Sequence, residues 1–305
     1  MQGIKKRIHA QHGFTLVEMM VVVVIFFFII AAVLDAYLTQ YRVSVAQGQV
    51  SDMQQNARIA MDFLSKEIRM AGFGMPSGAV NGFSNAITPQ INNDATGGNN
   101  VLNGTDQLTL VTGYRQISTL QSAASPSATT ITLAANGSQF NTGAKRYLCI
   151  DGAGSMDNYQ VTGISGNQLT ISPALTRGYQ QDAAVLLVKA ITYSVNDNRV
   201  LTRNENTGGG AQTIAPGIDD LQFAYQLADP PAGPGGWTQN IPADPGLIRA
   251  VRINVLARTF REDLKWRDAH LGRRPAVENR AAADQTDGFR RRLLTSVVEV
   301  RNLGF

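Results

Sequence analysis

Glu18 is the one charged residue between Phe14 and Leu34 in a stretch that is otherwise almost wholly apolar. A carboxylate inside a bilayer-spanning segment costs a few kcal/mol on insertion scales, so it calls for a cationic partner. Its chemistry is then ion pairing. The residues that usually carry catalysis are scarce: Cys149 is the only cysteine, and His9, His12 and His270 are the only histidines. No internal disulfide and no cysteine-rich zinc site can form, and HExxH is absent. A Ser/His/Asp arrangement would have to use His270, which has Asp263 and Asp268 nearby but reads as a solvated histidine in a charged loop. Gly152-Ala153-Gly154-Ser155 lacks the rest of a GxGxxG or GxSxG pattern and reads as a turn. Asp151, Asp157 and Asn158, like Asn92, Asn93 and Asp94, could offer oxygen ligands to Ca²⁺, although neither group has EF-hand spacing. Neither an enzyme nor a cofactor or metal site is expected, and no small-molecule substrate is implied.

The segment that carries Glu18 has a recognisable organisation. Lys5, Lys6 and Arg7 precede Gly13 with no acid among them, and they account for three of the formal charge of +4. The pI of 9.3 therefore reflects a basic leader, and no nucleic-acid partner is expected. Phe14 to Leu34, at about 1.5 Å per residue, spans roughly 30 Å, enough to cross a bilayer. The basic leader would keep the N-terminus cytoplasmic. A secretory signal has a shorter apolar core and a small-x-small cleavage site, which Asp35-Ala36-Tyr37-Leu38 does not supply. A plain signal anchor explains the topology but leaves Glu18 unexplained.

Beyond Leu34 the pattern becomes amphipathic. Ala46, Val50, Met53, Ala57, Ala60, Leu64, Ile68 and Ala71 recur every three or four residues, with Asp52, Gln55, Arg58, Asp62, Lys66 and Arg69 largely between them. Gly72, Gly74 and Pro76 stop the helix. An unbroken helix from Phe14 to Ala71 would be roughly 87 Å long, with Gly48 as a weak point. Its C-terminal half should pack on the chain's own β domain.

From residue 72 the chain is β-rich. Residues 72–105 are crowded with Gly, Asn and Ser and read as a long surface loop. Strands are expected over 107–114, 129–133, 147–150, 168–171, 184–195, 199–202, 221–226, 247–259 and 293–301, with a hairpin at Asn196-Asp197-Asn198. In the 247–259 run, Val251, Ile253 and Val255 alternate with Arg252, Asn254 and Leu256, and only the last breaks the pattern. No helix-length pattern separates the strands, so the fold class is α+β, a long N-terminal helix followed by a mainly antiparallel sheet. Two loops hold interface-prone residues: the Pro-rich 229–246 around Trp237, and the charged 261–289 with Trp266.

Gly13 with Phe14-Thr15-Leu16-Val17-Glu18 and the apolar run resembles the class III signal of type IV prepilins and type II secretion pseudopilins. The helix end Ala57 to Gly74, Ile191-Thr192-Tyr193-Ser194-Val195 with Leu201-Thr202-Arg203, Val251-Arg252-Ile253, and Arg291 to Val298 resemble PilW-type minor pilins. Residues 77–105 and 115–180 carry no such likeness, and GspJ-type pseudopilins share the helix-end style. The resemblance implies a leader over 1–13, a helix over 14–71 with 14–34 in the inner membrane, and a periplasmic β-rich domain over 72–305. It implies cleavage after Gly13 and methylation of Phe14 by prepilin peptidase. Glu18 would meet the N-terminal amine of a neighbouring subunit. The implied partners are other minor pilins and the major pilin, and the implied place is the pilus tip. A membrane-anchored adhesin using Trp237 or Trp266 stays open beside this. Many minor pilins staple their C-terminal region with a disulfide, which this chain cannot do.

Overall fold

A computed structural model describes residues 15–73, 79–80, 82–91, 100–140, 146–152, 156–228, 236–268 and 271–302. Contacts divide the chain into one unit ending at Gln49 and another beginning at Val50. Helix α1 (Leu16–Met70, 55 residues) contributes to both.

In the first unit every described side chain from Thr15 to Val45 is exposed, including Phe26, Phe27 and Phe28. Among the described residues α1 is the one helix long and apolar enough to cross a membrane. A helix apolar all round and uncovered by protein is suited to lipid as its solvent.

In the second unit, α1 buries Met53, Ala57, Ala60, Met61, Leu64 and Ile68 at the expected helical spacing, while Asp52, Arg58, Asp62, Lys66 and Arg69 face outward. The helix ends where the glycine signal placed its stop. Gly72 takes a left-handed φ of 83°, its N–H donates to Val111 O at 2.9 Å, and Thr112 Oγ1 donates to Met70 O at 2.9 Å. Ile68 O accepts from the Ala71 N–H at 3.2 Å and Met70 O also from the Phe73 N–H at 3.1 Å, so the last carbonyls of the helix find partners, as a C-terminal cap requires.

The strands are β1 (Ile87–Gln90), β2 (Gln107–Thr119), β3 (Thr130–Thr132), β4 (Tyr147–Asp151), β5 (Met156–Ser165), β6 (Gln168–Ser172), β7 (Ala184–Val195), β8 (Val200–Asn204), β9 (Ala211–Pro216), β10 (Ile218–Leu227), β11 (Trp237–Thr238), β12 (Ile248–Arg258) and β13 (Arg291–Glu299). A short helix, α2 (Leu264–Asp268), precedes β13. All named pairings are antiparallel. One sheet runs β1-β2-β7-β4-β5-β6-β3, with β8 and β9 extending from the far end of β7, and the other runs β11-β10-β12-β13. The main core lies between the C-terminal part of α1, β2, β7 and the second sheet, with Leu64, Leu110, Tyr193, Phe223 and Ile253 at its centre. An α+β fold with an antiparallel sheet is therefore present.

Three expectations need correction. Residues 72–105 are not all loop, since β1 pairs with β2 and buries Ile87. Strand β5, which begins at Met156 and pairs with β4, was not expected, although the turn read at 152–155 falls between those two strands. The segment 115–180, which carried no family likeness, folds over a second core of its own, built from Leu120, Leu133, Phe140, Leu148, Tyr159 and Leu169 among others. That lobe grows from the extended ends of β2 and β7, which outrun the part of the sheet that faces α1.

Candidate functional site

Thr15 caps the N-terminus of α1, and Glu18 lies three residues on, at the position from which a carboxylate reaches back to the cap. Thr15 N donates to Glu18 Oε2 at 2.9 Å, Thr15 Oγ1 donates to the same oxygen at 3.1 Å, and Glu18 N donates to Thr15 Oγ1 at 3.2 Å. This reciprocal pair satisfies two otherwise orphaned N–H groups, and it sets the carboxylate at the positive end of the helix dipole. Both contacts to Glu18 fall on Oε2, and Oε1 has no hydrogen bond among the described residues. The Thr-x-x-Glu spacing is a cap signature visible in the sequence, though the membrane run around it hides its local role. Gly13 and Phe14 lie outside the described residues.

The two tryptophans named as possible partner sites are each packed against an arginine. Trp237 opens β11 and is half-buried, with the Arg252 guanidinium 4.7 Å from its ring centroid. Trp266 sits on α2, half-buried, with Arg290 at 4.5 Å from its ring. Stacking of this kind fixes both rings through cation–π attraction. Arg290 is itself anchored to Asp263 Oδ2 at 2.7 Å.

The connection between β12 and β13 is tied across the outer face of the second sheet. Glu278 accepts from Arg252 Nε at 2.7 Å, Asn254 Nδ2 at 2.7 Å and Gln239 Nε2 at 2.7 Å. On β10, Asp219 and Asp220 are 1% and 0% exposed and are met by different arginines. Asp219 pairs with Arg291 at 2.6 Å, with Arg199 at 2.5 Å and with Arg258 at 3.7 Å. Asp220 pairs with Arg280 at 2.9 Å and Arg274 at 3.4 Å, and accepts from Gln222 Nε2 at 2.9 Å. Buried carboxylates survive only when paired and hydrogen-bonded; Asp220 draws its arginines from the β12–β13 connection, and Asp219 draws its own from the β7–β8 turn, the end of β12 and the start of β13. These residues fasten the C-terminal region, where a disulfide is impossible. The Asp219-Asp220 doublet ahead of an apolar strand was the available signal, but its partners are distant in sequence.

Of the residues considered for metal chemistry, Asp157 is already occupied. Asp157 pairs with Arg177 at 2.7 Å, which opposes a cation at that carboxylate. No group of three His, Cys, Asp or Glu suited to a metal occurs among the described residues. Asn92, Asn93, Asp94 and His270 lie outside them. Cys149 is fully buried, and burial, with help from Asp151 and Asp157, pushes its thiol up to about 12, which makes it an inert packing residue.

Two family models match the chain. The prokaryotic N-terminal methylation motif covers residues 8–34, and the type IV pilus-assembly protein W family covers residues 165–302. The first includes Gly13 to Glu18, and the second takes in β6 to β13 with the Asp219 and Asp220 clamps. The likeness noted at the helix end, residues 57–74, falls in neither range, whereas residues 165–180, read from the sequence as carrying no likeness, fall within the second. No curated protein and no solved structure matches the chain. An exposed apolar helix led by a methylation motif, joined to an antiparallel domain whose residues 165–302 carry the assembly-protein match, supports a PilW-type minor pilin with a part in type IV pilus assembly.

Proposed function

We propose that the chain is cut between Gly13 and Phe14 by prepilin peptidase, methylated at Phe14, and then built into a pilus through Glu18 as one of its minor, tip-associated subunits. The leader would be residues 1–13, the inner-membrane segment 14–34, and the β domain from residue 72 onward would be periplasmic before assembly and at the pilus tip after it. The observation that carries this reading is the Glu18 carboxylate on an uncovered helix, with Oε2 held by Thr15 and Oε1 without a hydrogen bond among the described residues. In lipid, that oxygen gains most from a charged donor, and the amine of a neighbouring subunit is such a donor. The match to the pilus-assembly family favours a pilus over a secretion pseudopilus. Other minor pilins and the major pilin are then the partners.

Glu18→Ala tests the role. It removes the two capping hydrogen bonds that the carboxylate accepts from Thr15, together worth about 1 kcal/mol on a long helix, so the subunit still inserts. Cleavage should continue while the amount of the protein in sheared filaments falls at least several-fold. Normal abundance in filaments would remove Glu18 from the assembly contact.

A further inference from the structure

The second lobe contains a cavity of about 410 Å³ beside the start of β5, lined by Tyr147, Asp157, Asn158, Gln160, Ser172 and Thr176 among others. Its volume lies within the range of about 300–1,000 Å³ common for small-molecule sites. Asn158 is 7% exposed, and neither Oδ1 nor Nδ2 of its carboxamide has a hydrogen-bond partner. A buried amide with both ends unpaired loses free energy and returns nothing to the fold. Its place in the sheet explains the opening. β5 pairs with β4 through Cys149↔Asn158, but its ladder with β6 starts only at Gln160↔Ser172, so residues 157–159 lie past the end of that ladder.

We infer that this cavity binds a neutral, polyhydroxylated ligand of the saccharide class, held by the Asn158 carboxamide. A carboxamide offers one acceptor and one donor side by side, and adjacent sugar hydroxyls can each donate and accept. The charge balance of the site points the same way. Asp157 is already met by Arg177 at 2.7 Å, by Thr176 Oγ1 at 3.0 Å and by Tyr179 OH at 2.7 Å. A cation would compete with Arg177, and an anion would approach a carboxylate. The remaining lining groups, the Gln160 amide and the Ser172 hydroxyl, are uncharged. The half-buried Tyr147 adds an aromatic wall of the kind that packs on the apolar face of a sugar ring. The sequence offered Asp157 and Asn158 here only as possible Ca²⁺ ligands, and this inference stands apart from the assembly role of Glu18.

The test uses the full chain in lipid nanodiscs, titrated with glucose, galactose and N-acetylglucosamine and followed by saturation-transfer NMR and calorimetry. Saturable binding of at least one sugar is expected. Asn158→Leu should weaken it about tenfold or more, because a buried polar group is lost from the site. The same variant should keep or raise the melting temperature, as an unpaired amide has been removed. Ser172→Ala should weaken binding to a smaller degree and serves as the second variant. Trp237→Ala should leave it unchanged. Failure of all three sugars to bind, or equal binding by Asn158→Leu, would overturn the proposal. So would saturable binding of Ca²⁺ or of acetamide in place of every sugar.

Discussion

Arg291, the first residue of β13, donates from Nε to Asp219 Oδ2 at 2.6 Å, and the same guanidinium holds Asp287 at 2.5 Å. It is 8% exposed in its side chain, and Asp219 is 1% exposed. The last strand is thus fastened to β10 and to its own preceding loop by one side chain. In a chain with a single cysteine, this ionic clamp takes the place of a covalent staple.

Asp219→Asn should show how much of the fold depends on that clamp. The change keeps the shape but leaves Arg199, Arg258 and Arg291 facing a neutral amide, and breaking a buried pair in this way costs about 3–5 kcal/mol. For a domain of this size that is on the order of 5–15 °C in melting temperature. Thermal unfolding of the full chain in detergent, followed by circular dichroism, reads it directly. A shift below about 1 °C would mean that the arginines find other partners at no cost.

Acid should loosen the same region. Burial pushes the Glu278 carboxyl up, but Arg252, Asn254 and Gln239 outweigh it and hold it below its ordinary range. Glu205 and Asp287 follow the same pattern, against burial, through Arg203 with Lys189 and through Arg291 with the Phe289 N–H. A depressed carboxyl contributes stability above its unfolded pKa, about 4, and that stability is lost as pH falls through the folded value. Asp220 has the opposite sign: burial raises it despite Arg280, Gln222 and Arg274, so its protonation favours the fold. With Asp263 held low as well by Arg290, four carboxyls outside the membrane segment are depressed against one raised, and acid gives a net loss. Melting temperature measured from pH 7 down to 3 should fall below about pH 4, and less steeply in Glu278→Gln. A rise on acidification would contradict the sign.

Two glycines separate close packing from backbone freedom. A Cβ on Gly137 would sit 2.4 Å from Gly166 O and 2.8 Å from Asn167 Cα, both backbone atoms of the β5–β6 turn. Gly137→Ala should therefore cost about 1–3 kcal/mol by overpacking. At Gly209 there is nothing within 4 Å and no left-handed φ, so Gly209→Ala should be neutral or stabilising by up to about 1 kcal/mol. Denaturant melts of the two variants give the comparison. Equal effects would mean that the turn gives way at little cost.

Local signals were legible in the sequence, and long-range ones were not. Gly72 ends α1 because a left-handed residue is needed there, and Asn196 to Arg199 forms the expected turn, with Arg199 at a φ of 58°. The outer face of β12 misled the alternation. Leu256 looked out of phase, yet both it and Asn254 are buried, at 1% and 4% exposure, and Asn254 is covered by Glu278, to which its Nδ2 donates. Nothing local to β12 records that cover. The cap that joins Thr15 to Glu18 was written in the spacing, but the cavity at Asn158 depends on where β6 stops, which no local pattern reveals.

Mass spectrometry of the mature protein's N-terminus, purified from its native membranes, tests the central claim most directly. The account predicts a chain that begins at Phe14 and carries a methylated amine, with Glu18 as its fifth residue. An intact Met1, or a start beyond Leu34, would contradict it.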